Sequence, residues 1–207
     1  MKRSSRLLSL LVLSLSVLLA GCGSASRKSV DQYDFGPLPD AGVAGATMPS
    51  SLPAIVIPDV TGPAWLDTQT MVYRLNYADP LQARPYTASR WSATPLQLIT
   101  QRLKSRIAQS GARVLSTTDA SAGELLLRIE VDDFSHTFDS NQQNVGSVVL
   151  RASLFDGRKF LDQKTFVRKT PSTSADAAGG VRALAASTDA VAADIMAWIS
   201  SLPLRRP

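Results

Sequence analysis

The chain has one cysteine and one histidine, so few residues are available for reactive chemistry. The cysteine closes the stretch Leu18-Leu19-Ala20-Gly21-Cys22. A thiol is the nucleophile that can carry a thioether-linked diacylglycerol, and small residues such as Ala20 and Gly21 let the backbone enter a processing enzyme. The preceding residues fit that reading. Lys2, Arg3 and Arg6 form a cationic start, and Leu7 to Ala20 is an uncharged apolar run of 14 residues. Crossing a hydrocarbon core of ~30 Å at ~1.5 Å per residue takes roughly 20 residues. Residues 1–21 therefore read as a processed signal segment, and Cys22 as the lipidated first residue of the mature chain. The alternative, a free structural cysteine, gives no reason for the thiol to fall at the end of such a segment. Several acyl chains such as palmitate, at ~0.8 kcal/mol per buried methylene, make a stable anchor. With the thiol modified, no disulfide can form. In enterobacterial-type sorting an Asp after the lipidated cysteine favours inner-membrane retention, so Gly23 points to the outer membrane, with the folded part facing the periplasm.

Other reactive groups are sparse. His136 falls near Asp132, Asp133 and Asp139 at the end of a predicted strand, where the four could in principle hold a cation or support acid–base work. Such residues more often keep an exposed hairpin soluble. One histidine excludes a His-based metal cluster. Neither a Gly-x-Ser-x-Gly elbow nor a phosphate-cradling Gly-rich loop occurs. Gly179-Gly180 opens a helix without following a strand and reads as flexible backbone. The expectation is no catalytic residue, no metal and no cofactor.

Of the 22 Lys and Arg in 207 residues, three lie in the signal segment, leaving 19 against 17 Asp and Glu, or +2. That balance, with no basic stripe, argues against a nucleic-acid partner. The 186 residues from Cys22 onward suit one domain. We divide the chain into a signal peptide (1–21), a lipidated tether (22–32) and a single α+β domain (33–207).

Within that domain, Tyr33-Asp34-Phe35 reads as a short strand and residues 36–51 as a long surface loop. Ile55-Val56-Ile57, bracketed by Pro53 and Pro58, reads as a strand near a sheet edge. Trp65-Leu66-Asp67 suggests one helical turn, and Met71 to Tyr77 a strand with Met71, Tyr73, Leu75 and Tyr77 on one face. Asp79 to Ser92 reads as a polar, proline-containing connection. Thr94, Pro95 and Gln97 then form a capping-box start. Leu96, Ile99, Leu103 and Ile107 make the buried stripe of this helix, with Arg102, Lys104 and Arg106 on a solvated side and Gly111 as the stop. Ala112 to Ser116 reads as a short strand. Glu124–Phe134, Val145–Phe155 and Arg158–Arg168 form an antiparallel meander, with a polar exposed loop over 135–144 and a turn at Asp156-Gly157. A long Ala-rich helix, capped by Ser174 or Asp176, buries Val181, Leu184, Thr188, Val191, Ile195 and Trp198 or Ile199. The predicted fold is a mostly antiparallel sheet with a central amphipathic helix and a long C-terminal helix packed on it.

The order of these features resembles the ABC-type transport auxiliary lipoproteins, which accompany Mce-domain lipid transport systems. The residues that carry the resemblance follow the lipobox: Tyr33-Asp34-Phe35-Gly36-Pro37-Leu38-Pro39, Ile55-Val56-Ile57-Pro58, Pro63-Ala64-Trp65-Leu66-Asp67, Met71-Val72-Tyr73-Arg74 and Ser89-Arg90-Trp91-Ser92. The resemblance implies a non-enzymatic, periplasm-facing domain. Its implied partners are an inner-membrane Mce-domain protein and, through it, an ABC permease and ATPase. Leu66, Asp67, Tyr73, Arg74, Arg90 and Trp91 are the matching pattern residues. Many members carry a proline soon after the Leu-Asp pair; Thr68-Gln69-Thr70 stands here instead, so the local turn is expected to differ.

These residues have two readings. Trp91 and Arg90 can serve packing and local pairing, or the set can form a face that receives the partner or a neighbouring copy, since Trp, Tyr and Arg dominate interface hot spots. A docking component of a lipid conduit is the function expected, with a homo-oligomer compatible with it. The competing readings are a periplasmic lipid carrier and an outer-membrane assembly lipoprotein acting on a β-barrel.

Overall fold

The computed structural model describes residues 29–38, 54–119 and 124–204. The signal segment, Cys22, the first part of the tether, most of the predicted 36–51 loop and the terminal Arg205-Arg206 lie outside the described residues. The elements in order are β1 (Asp31–Tyr33), β2 (Ile55–Val56), a 3-10 turn (Ala64–Leu66), β3 (Thr70–Leu75), β4 (Asp79–Trp91), α1 (Pro95–Gln109), β5 (Val114–Leu115), β6 (Leu125–Phe138), β7 (Asn144–Asp156), β8 (Lys159–Pro171) and α2 (Ala177–Ser201). The fold is α+β, as expected, and its longest ladders are antiparallel. Short parallel pairings make the sheet mixed.

The sheet is built around β6. One edge of β6 pairs along its length with β7, which pairs with β8, giving the predicted meander. The other edge is shared. Ile55 of β2 lies beside Leu125, Thr61 bridges to Glu130, and Tyr73 of β3 lies beside His136. Beyond β3 come β4 and then β1; beyond β2 comes β5.

Alternation along β6 buries Leu125, Leu127, Ile129 and Val131. A one-residue bulge between Val131 and Asp133 then shifts the phase. Phe134, His136 and Phe138 continue the buried series after the shift. The strand therefore extends through Phe138, and the exposed loop predicted over 135–144 shortens to 139–143. The sequence pattern loses its period at the bulge.

Two further expectations are corrected. Residues 79–91 form β4 rather than a connection. Its prolines, Pro80 and Pro85, are tolerated because, among the described residues, β1 covers only Ser89–Trp91, leaving the preceding outer edge without ladder bonds to lose. Strand β2 lies near an edge, as expected, one strand in from β5; its ladder contains only Ile55 and Val56, and the flanking prolines fall outside it. Arg102 is 7 % exposed and does not belong to a solvated face.

Both helices begin as predicted. Thr94 and Gln97 exchange backbone and side-chain hydrogen bonds at 3.3 and 3.4 Å, closing the capping box of α1. The Asp176 side chain accepts from Gly179 N at 2.7 Å to cap α2. Gly111 and Gly157 have positive φ, as the stop of α1 and the β7–β8 turn require. Leu98, Ile99, Leu103 and Ile107 of α1 are buried, while Leu96 is only partly so; in α2 every predicted core residue is buried, Trp198 and Ile199 both included.

The helices are tied by charge. Arg102 donates to both carboxylate oxygens of Asp189 at 2.6 and 2.8 Å and to Gly36 O at 3.2 Å. Arg106 Nε adds a contact to Asp189 at 2.9 Å. A buried bidentate pair is costly to leave half-made. Asp189→Ala should therefore lower stability in urea melts by about 3–5 kcal/mol. Arg102→Met combined with Asp189→Leu should recover most of the loss. A loss for Asp189→Ala of about 1 kcal/mol or less would mean the pair behaves as a solvated surface contact.

Candidate functional site

The six pattern residues gather around β3, β4 and the 3-10 turn, and burial divides them. Leu66 is 1 % and Trp91 3 % exposed, both in the core. The Trp91 ring meets Phe35 edge-on at 5.8 Å and Phe134 at 5.6 Å, so β4, β6 and the segment just after β1 share one aromatic cluster. These two side chains hold the fold. Tyr73 packs its ring against Tyr86 at 4.7 Å and Phe138 at 5.9 Å. Arg74 turns back onto its own hairpin: Nη1 donates to Pro80 O at 3.3 Å and Leu81 O at 3.4 Å, and its guanidinium lies 6.0 Å from the Trp65 ring centroid. Asp67 and Arg90 remain exposed. They flank one short backbone junction, where Trp91 N donates to Gln69 O at 2.9 Å and Gln69 Nε2 donates to Ser92 O at 3.0 Å. The predicted strand face ends at Leu75, and Tyr77 lies in the turn, 50 % exposed.

Behind the hairpin lies His136, which is 1 % exposed. Nε2 lies 2.7 Å from Asn144 Oδ1, and Nδ1 lies 2.8 Å from Tyr86 OH. A carbonyl oxygen only accepts, so with Asn144 in this orientation the proton sits on Nε2 and Nδ1 accepts from Tyr86. The neutral ring is thus satisfied at both nitrogens by β4 and β7. Gly180 of α2 completes the enclosure. A Cβ there would run into Nδ1 and Cγ of His136, so close approach, rather than flexibility, accounts for a glycine in the first turn of α2. Sequence reasoning missed Tyr86, Asn144 and Gly180 as a unit; a glycine early in an otherwise Ala-rich helix was the available signal.

This arrangement does not assemble acid–base chemistry with the neighbouring carboxylates. Asp132 is exposed and lies 3.8 Å from Arg151, Asp133 accepts from Ser135 Oγ at 3.0 Å, and Asp139 accepts from Asn76 Nδ2 at 2.7 Å. His136 faces the core. Among the described residues no group of three His, Cys, Asp or Glu is placed to hold a metal. The pocket beside His136, lined also by Tyr86, Trp91, Gly180 and Leu184, has a volume of ≈ 10 Å³. That is about the volume needed to admit one water and far below an acyl chain.

Burial holds the His136 imidazole below the ordinary histidine value of 6.5, against the opposing pull of the Asn144 hydrogen bond and the Asp176 charge. Burial also raises the Tyr86 hydroxyl, helped by the nearby Tyr73 and Asp176 charges. The Asp176 carboxyl is held low, chiefly by the Gly179 N–H and the Ser174 hydroxyl. Below about pH 6.5 the unfolded chain binds a proton at His136 that the folded chain refuses, so stability falls as pH falls. The loss should begin above the carboxylate range, with a slope of at most ~1.4 kcal/mol per pH unit. His136→Gln should flatten it in melts followed from pH 7.5 to 5; an unchanged slope would contradict a buried neutral ring.

The family model for the ABC-type transport auxiliary lipoprotein component matches residues 33–196. No curated protein matches the chain. Among solved structures, protein XCC0632 from Xanthomonas campestris, of family model DUF330, superposes with a TM-score of 0.68 at 17 % identity, over 81 % of this chain and 93 % of that one. An uncharacterized protein superposes with a TM-score of 0.66 at 16 % identity, over 83 % and 99 %. A minor lipoprotein from Acinetobacter baumannii matches more distantly, with a TM-score of 0.40 at 11 % identity over 70 % and 92 %. No helix of the described residues is long and apolar enough to cross a membrane. With the family model running from β1 into α2, the chain belongs to the ABC-type transport auxiliary lipoprotein family.

Proposed function

We propose that this lipoprotein is acylated on Cys22, held in the outer membrane facing the periplasm, and serves as the non-catalytic docking component of an Mce-domain-associated lipid transport system. Residues 33–207 form its single working domain. The observation that carries this reading is a family match beginning at residue 33, just downstream of the lipobox and a short tether. The partner is an Mce-domain protein that reaches the ABC permease and ATPase across the periplasm. Contact falls on Asp67 and Arg90, the two pattern residues left exposed where β3 meets β4, while Leu66, Tyr73, Arg74 and Trp91 keep that surface in shape. The pocket beside His136 is too small for an acyl chain, so a carrier would have to use the open clefts on the surface instead.

Co-purification separates the readings. Asp67→Ala with Arg90→Ala should keep the wild-type melting temperature and lose the Mce-domain protein at least tenfold, a loss of about 1.4 kcal/mol or more. A variant that retains the partner removes this surface from the interface. Recovery of phospholipid with the delipidated domain favours a carrier, and recovery of a β-barrel protein favours an assembly factor.

A further inference from the structure

The β3–β4 hairpin presents apolar side chains to water at one end. Leu81 is 89 % and Tyr77 50 % exposed. Leu81 is held there rather than left loose. Arg74 pairs with Ala83 and Leu75 with Asp79, so Pro80, Leu81 and Gln82 bulge out of the ladder. Leu81 N donates to Asp79 Oδ1 at 2.9 Å, and the Leu81 and Pro80 carbonyls accept from Arg74 Nη1. The structure fixes the backbone on both sides of an exposed leucine.

The direction of the chain indicates what covers it. β1 runs parallel to β4, with Asp31 beside Ser89 and Tyr33 beside Trp91. The chain therefore enters β1 from the hairpin side. Arg90 lies opposite Thr70 and Ala83 opposite Arg74; at ~3.3 Å per residue along β3 the separation is only ~13 Å. Nine peptide units join Cys22 to Asp31 and reach at most ~30 Å. A leaflet holding the lipid of Cys22 thus lies within reach of the hairpin end, and on its side. Phe160, also exposed at 54 %, lies by the β7–β8 turn, where Asp156 pairs with Leu125. That is the opposite end of β6 from Phe138 and Leu75, ~40 Å away along the strand. Tyrosine, an arginine and an exposed leucine, with Trp65 against that arginine, are the residue types that suit a bilayer interface.

We infer that the hairpin end, Tyr77 and Leu81 held by Arg74, is a second membrane contact that enters the headgroup region of the phospholipid leaflet carrying the Cys22 lipid. It orients the domain on the membrane and leaves Asp67 and Arg90, at the base of the hairpin, to the partner. The inference rests on the lipid anchoring proposed above.

The test uses the acylated full chain, whose only cysteine is then blocked. Leu81→Cys and Phe160→Cys each accept one environment-sensitive dye, and each variant is reconstituted into phosphatidylethanolamine–phosphatidylglycerol vesicles bearing a nitroxide on the upper acyl chain. The dye at residue 81 should shift to the blue and lose fluorescence to the nitroxide, while the dye at 160 keeps its aqueous spectrum. Equal responses at both positions, or none at either, in chain that floats with the vesicles would overturn the contact. A shift at residue 81 that requires an added protein and ignores the nitroxide would overturn it as well, assigning the hairpin to a protein partner. Failure of anchoring has its own signature: the wild-type chain takes up dye at Cys22 and does not float, which removes this inference with the reading beneath it.

Discussion

The structure depends on one slipped residue in β6. Without the bulge between Val131 and Asp133, the alternation that buries Leu125, Leu127, Ile129 and Val131 would carry Phe134, His136 and Phe138 to the other face of the sheet. Those three side chains are what the N-terminal half of the fold packs on. Phe134 receives Phe35 and Trp91; His136 receives Tyr86 and admits the close approach of Gly180; Phe138 receives Tyr73. Upstream of the bulge β6 pairs with β2, and downstream with β3. A single long strand thereby joins a helix-covered meander to a hairpin whose outer edge is paired, among the described residues, only at Ser89–Trp91.

The core of the domain is closely satisfied. The polar groups at its centre are spent on one another: His136 on Tyr86 and Asn144, Arg102 on Asp189 and Gly36. Buried networks of this kind favour one arrangement, because each unmet partner costs its full desolvation. Under the function proposed above, such a domain would carry its docking surface close to the membrane. Asp67, Arg90, Tyr77 and Leu81 are exposed on or beside β3 and β4, and Phe160 and Val167 on β8.

Much of this was legible in the residue order. The capping box of α1, the Gly111 stop, the Asp156-Gly157 turn and the Asp176 cap are local devices whose chemistry is complete within a few residues, and each occurs where expected. The meander and the long helix follow from their periods. The failures are nonlocal. Strand β4 carries two prolines and few large apolar residues, and it becomes a strand only because β3 supplies its partner edge. Arg102 looks like one of three cations on a wet helix face until α2 brings Asp189 against it, 87 residues away. The bulge hides His136 in the core although its neighbours are polar and charged. Burial likewise divided the pattern residues: Leu66 and Trp91 serve the core, while Asp67 and Arg90 face outward.

On the function proposed above, a folded domain with no catalytic constellation among its described residues works by being held at a membrane through Cys22. Intact mass measurement of the chain isolated from separated inner and outer membranes tests it most directly. The expected result is an outer-membrane species whose first residue is Cys22 and whose mass includes a thioether-linked diacylglycerol and an N-acyl chain. A chain beginning elsewhere, a free Cys22 thiol, or accumulation in the inner membrane would contradict it.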